Sequence, residues 1–229
     1  MPELAGPQIA VPESTRLRRK LDLVLPELAG VTQRFLASPR ISDLYVEYLI
    51  SSHWIARASI PLMQTARERA MSIGIKDPVG AALAPYLEGH IVEEMGHDEW
   101  FLEDLDVLGW NRAAVLTQPP SATVASLVGA QYYWVLHYHP VALLGFLTAL
   151  ESHPPSRPLI DELISRTGHP PEAFRTLIEH ADLDPHHEAE LYGLLNDLPL
   201  TAEQSSIIGL SGIHTLHMTA VSVQDILEQ

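Results

Sequence analysis

The stretch from residue 172 to residue 198 constrains the fold most, because it places ionisable side chains on an apolar helical face. Wound as an α-helix at about 100° per residue, it brings His180, Asp184 and His187 within about 60° of one another. The same face carries the apolar residues Ala173, Leu177, Leu191, Leu195 and Leu198, so we expect it to be buried. Burying two imidazoles and a carboxylate without partners costs several kcal/mol, and a metal ion would offset that cost.

Two further segments also place ionisable side chains on an apolar helical face. In the segment LEGHIVEEMGH, a continuous helix would place His90, Glu94 and His97 within about 60° of one another, with Glu94 at the centre of the apolar face. Glu151 ends the apolar run VALLGFLTALE and shares the face of the leucines four and seven residues before it. Three separate segments are therefore expected to turn carboxylates and imidazoles toward one buried place.

The inward polar residues allow two interpretations. A single buried histidine or glutamate is more often a hydrogen-bonded core residue than a ligand, and one acid-x-x-His spacing arises by chance on many helices. Six such residues occur together here: Glu94, His97, Glu151, His180, Asp184 and His187. Their number, and the fact that four of them form two acid-x-x-His pairs, favour a metal site over an unmetallated polar network.

The ligand types indicate which metal the site would hold. Three carboxylates and three imidazoles without sulfur favour iron or manganese over structural zinc, and the chain has no cysteine. Six ligands are too many for one catalytic ion with an open position, whereas two ions roughly 3.5–4 Å apart leave room for dioxygen or substrate. We therefore predict a binuclear site that holds two Fe(II)/Fe(III) ions.

Composition excludes several other classes of protein. The formal charge is −15, from 29 acidic and 14 basic residues, which makes a nucleic-acid or anionic-membrane partner improbable. Without cysteine there is neither a disulfide nor a thiol nucleophile. The apolar runs are too short to cross a bilayer, and no secretory signal pattern opens the chain, so we expect a cytoplasmic protein without membrane contact.

Helical periodicity runs through most of the chain, and no β-alternation is long enough to predict a strand. We predict an all-α bundle of seven or eight helices in one domain spanning residues 1–229, with residues 1–12 as an irregular N-terminal arm. The predicted helical segments are 14–37, 42–72, 77–109, 121–137, 141–151, 157–167, 172–198 and 201–227. Pro185 lies within the ligand-bearing helix and should kink it or unwind it locally.

Three motifs carry a family resemblance: EEMGH, the HP…LG…E run from His139 to Glu151, and the H-x3-D-x2-H spacing that begins at His180. With them the chain resembles the haem-oxygenase-like diiron oxidases and oxygenases, whose superfamily also holds TenA-type thiaminases. The resemblance implies a haem-oxygenase-like fold in which the six residues above ligate two irons, with Glu94 and Asp184 taking part in catalysis. It implies that O2 is the co-substrate, used to N-oxygenate, desaturate or cleave small amino acids or fatty acids. Many members have a carboxylate where this chain has His90. His90 could be a seventh ligand or could support one; we favour a role in supporting a ligand or contacting the substrate. The resemblance also implies that the helix carrying His180, Asp184 and His187 is poorly ordered until metal binds.

Five residues are predicted to contact the substrate: His53, Arg57, His90, Tyr133 and His137. Arg57 would anchor a carboxylate, because a guanidinium matches that group in geometry. The segment QYYWVLHYH would wall a pocket, although each of its aromatic residues is individually more typical of a core. We expect the substrate to be a small molecule derived from an amino acid, in bacterial specialised metabolism.

Two other functions compete with this interpretation. A cofactor-independent enzyme of the TenA or PqqC type is one, but the usual thiaminase cysteine is missing and two lysines offer little to hold a polyanionic quinone. A non-catalytic iron-binding or storage bundle is the other, since facing acid and histidine pairs occur there too. Besides the substrate, an external electron donor and a second copy of the chain are the expected partners.

Overall fold

The computed structural model describes residues 11–229, so the expected N-terminal arm lies outside the described residues except for its last two. Within 11–229 the chain forms eleven α-helices and two 3₁₀ turns. The helices are α1 Glu13–Leu21, α2 Leu25–Ala37, α3 Ile41–Gly74, α4 Pro78–Glu94, α5 His97–Val107, α6 Arg112–Thr117, α7 Ala122–His137, α8 Leu143–Glu151, α9 Arg157–Thr167, α10 Arg175–Asp197 and α11 Ala202–Glu228. The turns are Pro140–Ala142 and Pro171–Phe174. The all-α prediction is confirmed, with more and shorter helices than expected.

Helix ends follow the local sequence signals. Asp77 caps α4, because its Oδ1 accepts hydrogen bonds from the backbone N–H groups of Val79 and Gly80 at 2.8 and 3.1 Å. Thr201 and Gln204 form a reciprocal capping box at the start of α11. Gly168 ends α9 in the left-handed conformation, at φ 69°.

The predicted helix 77–109 is wrong as one continuous element, because the chain breaks it at Gly96. That glycine has φ 92°, a left-handed value that side chains with a Cβ rarely adopt, and the preceding Met95 is extended. Helix α4 therefore ends at Glu94 and α5 begins at His97. The two residues lie on opposite sides of a turn rather than on one helical stripe.

Helix α8 lies directly against α11 through glycine. A Cβ added at Gly145 would overlap the carbonyl of Ile208 and would lie 2.7 Å from the backbone nitrogen of Gly212. Only a residue without a side chain permits this approach. The contact fixes the position of α8, which is buried along most of its length and carries Glu151 at its end.

Helices α10 and α11 bear on two expectations from the sequence: that Pro185 would kink or unwind its helix, and that no apolar run is long enough to cross a bilayer. Helix α10 runs without interruption through Pro185, so the predicted local unwinding does not occur there. Helix α11 is the one helix of the described chain that is long and apolar enough to cross a bilayer, but half of that window is buried inside the protein. A buried core helix meets the same criteria of length and composition.

Candidate metal centre

One group of ligand-type side chains joins α4, α8 and α10. The Nε2 atom of His90 lies 3.0 Å from Oε1 of Glu151. With His187 these residues offer three ligand atoms that all lie within 4.8 Å of one another. All three side chains are buried. His90, predicted to support a ligand or contact substrate, is thus placed where it could bind a metal itself.

A second group lies beside the first and joins the end of α4 to α5 and α10. Glu94, His97 and His180 again offer ligand atoms within 4.8 Å of one another. The Oε2 atom of Glu94 is 3.1 Å from Nδ1 of His97. The turn at Gly96 brings the side chains of Glu94 and His97 together, although the predicted continuous helix is absent.

Glu94 connects the two groups. While its Oε2 faces His97, its Oε1 lies 3.4 Å from Nδ1 of His187, a member of the first group. One carboxylate therefore directs its two oxygens toward two different sets of donors. Asp184 is buried on α10, between the two histidines of that helix in sequence, and lines the same cavity as Glu94 and Glu151.

The ring of His180 is oriented by its own helix. Its Nδ1–H donates to the carbonyl of Thr176, one turn earlier, at 2.8 Å. This bond leaves Nε2 free, in the way that a partner on one ring nitrogen commonly orients the other toward a metal. Thr176 is held in turn by Asp104, whose Oδ2 accepts from the Thr176 backbone N–H at 3.0 Å.

Hydrogen bonds within the centre leave some of its buried polar atoms unpaired. Four buried atoms in it make no hydrogen bond of suitable geometry among the described residues: Nδ1 of His90, Nδ1 of His97, Nδ1 of His187 and Oε2 of Glu151. Glu94 oxygens lie 3.1 and 3.4 Å from the nitrogens of His97 and His187 but are not aligned as hydrogen-bond acceptors. Buried polar atoms are normally paired, and each exception requires an explanation. A set of carboxylate and imidazole atoms that point inward without partners fits the donor preference of iron.

Burial and neighbouring charges set the protonation of the site. Burial lowers the pKa values of His180 and His187, which favours the neutral imidazole that binds metals. Burial raises the pKa of Glu94, but the nearby imidazoles, with His97 foremost, outweigh it and leave that pKa below its usual value. Burial, with Glu151 and Glu94 adding to it, raises the pKa of Asp184 to about 8. Burial also raises the pKa of Glu151, so a cation beside either carboxylate would favour its charged form.

A cavity of about 370 Å³ adjoins the centre, a volume typical of small-molecule sites. Glu94, His97, Glu151, His180 and Asp184 form its polar wall. The rest of its lining comes mainly from apolar residues of α2, α3, α8, α9 and α11.

Of the five residues predicted to contact substrate, only His90 lies at the centre. Tyr133 is 64% exposed and His137 is also exposed, and their rings are tilted at 42° to each other on the surface of α7. Neither residue lines the cavity beside the centre. Neither Arg57 nor His53 lines the cavity. His53 is buried elsewhere, with Nδ1 3.1 Å from the carbonyl of Asp98 beside His97.

Several residues at the site were not predicted from the sequence. Trp100 stacks on His97 with ring centroids 4.0 Å apart, a contact that the i,i+3 spacing on one helix could have indicated. Glu93 places Oε2 3.7 Å from Nδ1 of His90 and 3.9 Å from Nε2 of His187. Tyr48 lines the cavity from α3, and no local motif distinguishes it from an ordinary core tyrosine.

Known structures share this fold. A domain of unknown function with a haem-oxygenase-like fold from Shewanella denitrificans OS217 matches with a TM-score of 0.74 and 20% identity, over 93% of this chain and 90% of that one. A CADD-like protein of unknown function from Nostoc punctiforme PCC 73102 matches with a TM-score of 0.69 and 19% identity, over 94% and 97%. A TenA homologue from Pseudomonas syringae pv. tomato DC3000 matches with a TM-score of 0.65 and 11% identity, over 99% of both chains. At these identities the likeness establishes the haem-oxygenase-like fold alone.

Sequence comparison gives the family. No curated protein matches the chain significantly. The sequence profile of a family described as iron-containing redox enzymes matches residues 70–210, which is more than half of the chain and includes every residue of the two ligand groups. This chain therefore belongs to the family of iron-containing redox enzymes and has a haem-oxygenase-like fold.

Proposed function

We propose that the protein binds two iron ions and uses O2 to oxidise a small molecule. The observation that carries the proposal is the division of the buried and partly buried donors into two groups of three, with Glu94 directing one oxygen toward each group. A single-ion site would not need this second set. When bound, the two ions would supply the redox chemistry of dioxygen reduction.

The residues divide into distinct roles under this proposal. His90, Glu151 and His187 would hold one ion, His97 and His180 the other, and Glu94 would bridge them. Asp184 would add a carboxylate from the same helix as His180 and His187. Helix α10 therefore contributes to both ions, so the geometry of that helix and metal binding are expected to depend on each other.

The cavity favours an enzyme over an iron-storage bundle. Storage requires a path for iron and oxygen but no apolar chamber, whereas a chamber lined mainly by hydrocarbon side chains and bordered by the donors suits an organic substrate. The amino-acid-derived substrate expected from the sequence has less support, because the proposed arginine anchor lies outside the cavity lining.

The test is anaerobic loading followed by exposure to oxygen. Wild-type protein is loaded with two equivalents of Fe(II), mixed with O2-saturated buffer and followed by an oxygen electrode and by stopped-flow absorbance. We expect rapid O2 uptake with a transient visible absorption. Glu94→Gln should abolish both signals, while Glu88→Gln, which changes an exposed acid on the same helix, should leave both unchanged.

Two results would contradict the proposal. Slow O2 uptake that ends in precipitated ferric oxide would indicate storage. Equal behaviour of Glu94→Gln and Glu88→Gln would show that the described donors are not the site of the chemistry. Repeating the assay with and without an added chemical reductant would show whether the proposed external electron donor is required.

A further inference from the structure

We propose that Glu93, Nδ1 of His90 and Nε2 of His187 together form an entry site, at which a divalent metal ion binds before it reaches the two ligand groups. Glu93 belongs to neither of those groups. The inference rests on the proposed function for the final positions of the ions. The entry site itself is defined by contacts among these three side chains.

Glu93 is the member of the entry site that reaches solvent. Its side chain is 42% exposed, whereas those of His90 and His187 are 1% and 5% exposed. A single oxygen, Oε2 of Glu93, faces both rings. Because the chain carries a formal charge of −15, its field draws cations toward its surface. An ion captured by Glu93 is therefore already beside two buried imidazoles.

The distances within the entry site suit a shared cation better than a hydrogen bond. Oε2 of Glu93 lies 3.7 Å from Nδ1 of His90 and 3.9 Å from Nε2 of His187, and both separations exceed the range of about 2.7–3.2 Å for N–H···O bonds. An ion about 2.1 Å from an oxygen and from a nitrogen places these two atoms about 3.0–4.2 Å apart, depending on the angle at the ion. Both separations fall within that range.

The inner nitrogens of the two rings are directed toward other carboxylates. Nε2 of His90 is 3.0 Å from Oε1 of Glu151, and Nδ1 of His187 is 3.4 Å from Oε1 of Glu94. A neutral His90 that donates its Nε2–H to Glu151 presents only a lone pair at Nδ1. That nitrogen is buried and makes no hydrogen bond of suitable geometry among the described residues. A cation between this lone pair and the carboxylate of Glu93 would stabilise both.

Packing holds the ring of His90 in this orientation. The ring of Tyr86 stacks on it, with centroids 5.5 Å apart and planes 15° from parallel, and the ring of His187 meets it edge-on at 5.2 Å. The contact with Glu151 fixes the direction of Nε2. Nδ1 of His90 is therefore kept toward Glu93, and the entry site needs little rearrangement to receive an ion.

Transfer from the entry site to the ligand groups exchanges the two nitrogens of each ring. At the entry site the outer nitrogens, Nδ1 of His90 and Nε2 of His187, bind the ion. After transfer the inner nitrogens bind it, and each ring carries its one proton on the outer nitrogen, so neither ring gains or loses a proton overall. Glu93 is then the carboxylate that faces those outer N–H groups, in the arrangement that commonly orients metal-binding histidines.

The rate of metal loading tests the entry site without turnover. Metal-free protein is mixed anaerobically with excess Co(II) in a stopped-flow instrument, and the visible absorption of protein-bound Co(II) is followed. In wild type we expect the loading rate to level off as the Co(II) concentration rises, because the entry site fills first and transfer then limits the rate. Glu93→Gln should load at least about tenfold more slowly at low Co(II) concentration, and its rate should increase in proportion to concentration. At saturation both proteins should hold about two Co(II) ions per chain by elemental analysis.

Two further variants separate capture of the ion from a structural effect. Glu93→Asp retains the carboxylate on a shorter side chain and should load faster than Glu93→Gln. Glu88→Gln changes an exposed acid on the same helix, one that pairs with Arg67, and should load like wild type. We expect equal midpoints of thermal unfolding for the metal-free wild type and Glu93→Gln, because the Glu93 side chain is half exposed.

The outcomes separate this inference from the proposed function. Loading of Glu93→Gln at the wild-type rate would overturn the inference. So would a loss of bound Co(II) from this variant at saturation, since Glu93 would then be a permanent ligand. Saturation of wild type at one Co(II) per chain, with the Glu93 dependence of the rate preserved, would retain the entry site and remove the two-ion proposal. Two bound ions with that dependence, but no O2 uptake after loading with iron, would retain the entry site and remove only the proposed oxidation chemistry.

Discussion

Replacing Asp104 by asparagine should stabilise the folded protein at neutral pH. Asp104 is 1% exposed, and its Oδ1 has no hydrogen-bond partner among the described residues. Burial, only partly offset by Thr176 and Arg175, raises its pKa from 3.8 to about 6. This is a buried acid outside the metal centre, so it tests separately the physical cost on which the interpretation of that centre depends.

The sign and size of the effect follow from linkage between protonation and folding. Below pH 3.8 the group is protonated in both states and costs nothing, whereas above pH 6 the folded state must hold the charge. A shift of about two pH units at 1.36 kcal/mol per unit gives a penalty of up to about 3 kcal/mol at pH 7.5, which falls to about 1 kcal/mol near pH 4.5. Asparagine carries no charge and avoids this penalty.

Urea denaturation at pH 7.5 and pH 4.5 measures the difference. Asp104→Asn should exceed wild type in free energy of unfolding at pH 7.5, and the excess should shrink by roughly 2 kcal/mol at pH 4.5. Asp106→Asn, an exposed acid on the same helix, should show neither effect. A difference between Asp104→Asn and wild type that does not change with pH would refute the reasoning.

Other substitutions and metal removal probe the centre more directly. Glu94→Gln should lower bound iron from about two to below one per chain, and His90→Gln should lower it to about one, as elemental analysis would show. Iron removal should speed amide exchange across residues 183–188, because the proline there removes a helical hydrogen bond; equal protection by mass spectrometry with and without iron would refute this. Gly145→Ala should destabilise the fold by a few kcal/mol in thermal unfolding, since its Cβ meets backbone atoms. The control Gly193→Ala, with nothing within 4 Å, should be neutral or stabilising by up to about 1 kcal/mol.

The sequence was sufficient to predict that polar residues turn inward. His180 and His187 lie on one face of α10 because the helix there is regular, so periodicity alone predicted their shared orientation. Glu151 was found in the same way at the end of α8. In each case a charged or imidazole group interrupts an apolar stripe, and that conflict is visible without coordinates.

The turn at Gly96 could not be predicted from the local helical periodicity. Helical periodicity continues across residues 94–97, and glycine within a helix costs only about 1 kcal/mol, so nothing local required a break. The chain nevertheless adopts a positive φ at Gly96. The sequence prediction that Glu94 and His97 meet was therefore correct for a different geometric reason.

Long-range placement could not be predicted from one sequence. Whether Arg57 or Tyr133 reaches the cavity depends on how α3 and α7 are rotated against their neighbours, and a helix with apolar residues on several sides does not specify that rotation. His90 was assigned a supporting role by family resemblance, whereas the approach of α8 brings Glu151 to its Nε2.

The central claim is that the buried donors form one site for two ions. Anaerobic titration of metal-free protein with Fe(II), followed by elemental analysis and Mössbauer spectroscopy, tests it most directly. The account predicts saturation at about two iron ions per chain, with magnetic coupling between them after oxidation. Saturation at one ion per chain, or two ions without coupling, would contradict it.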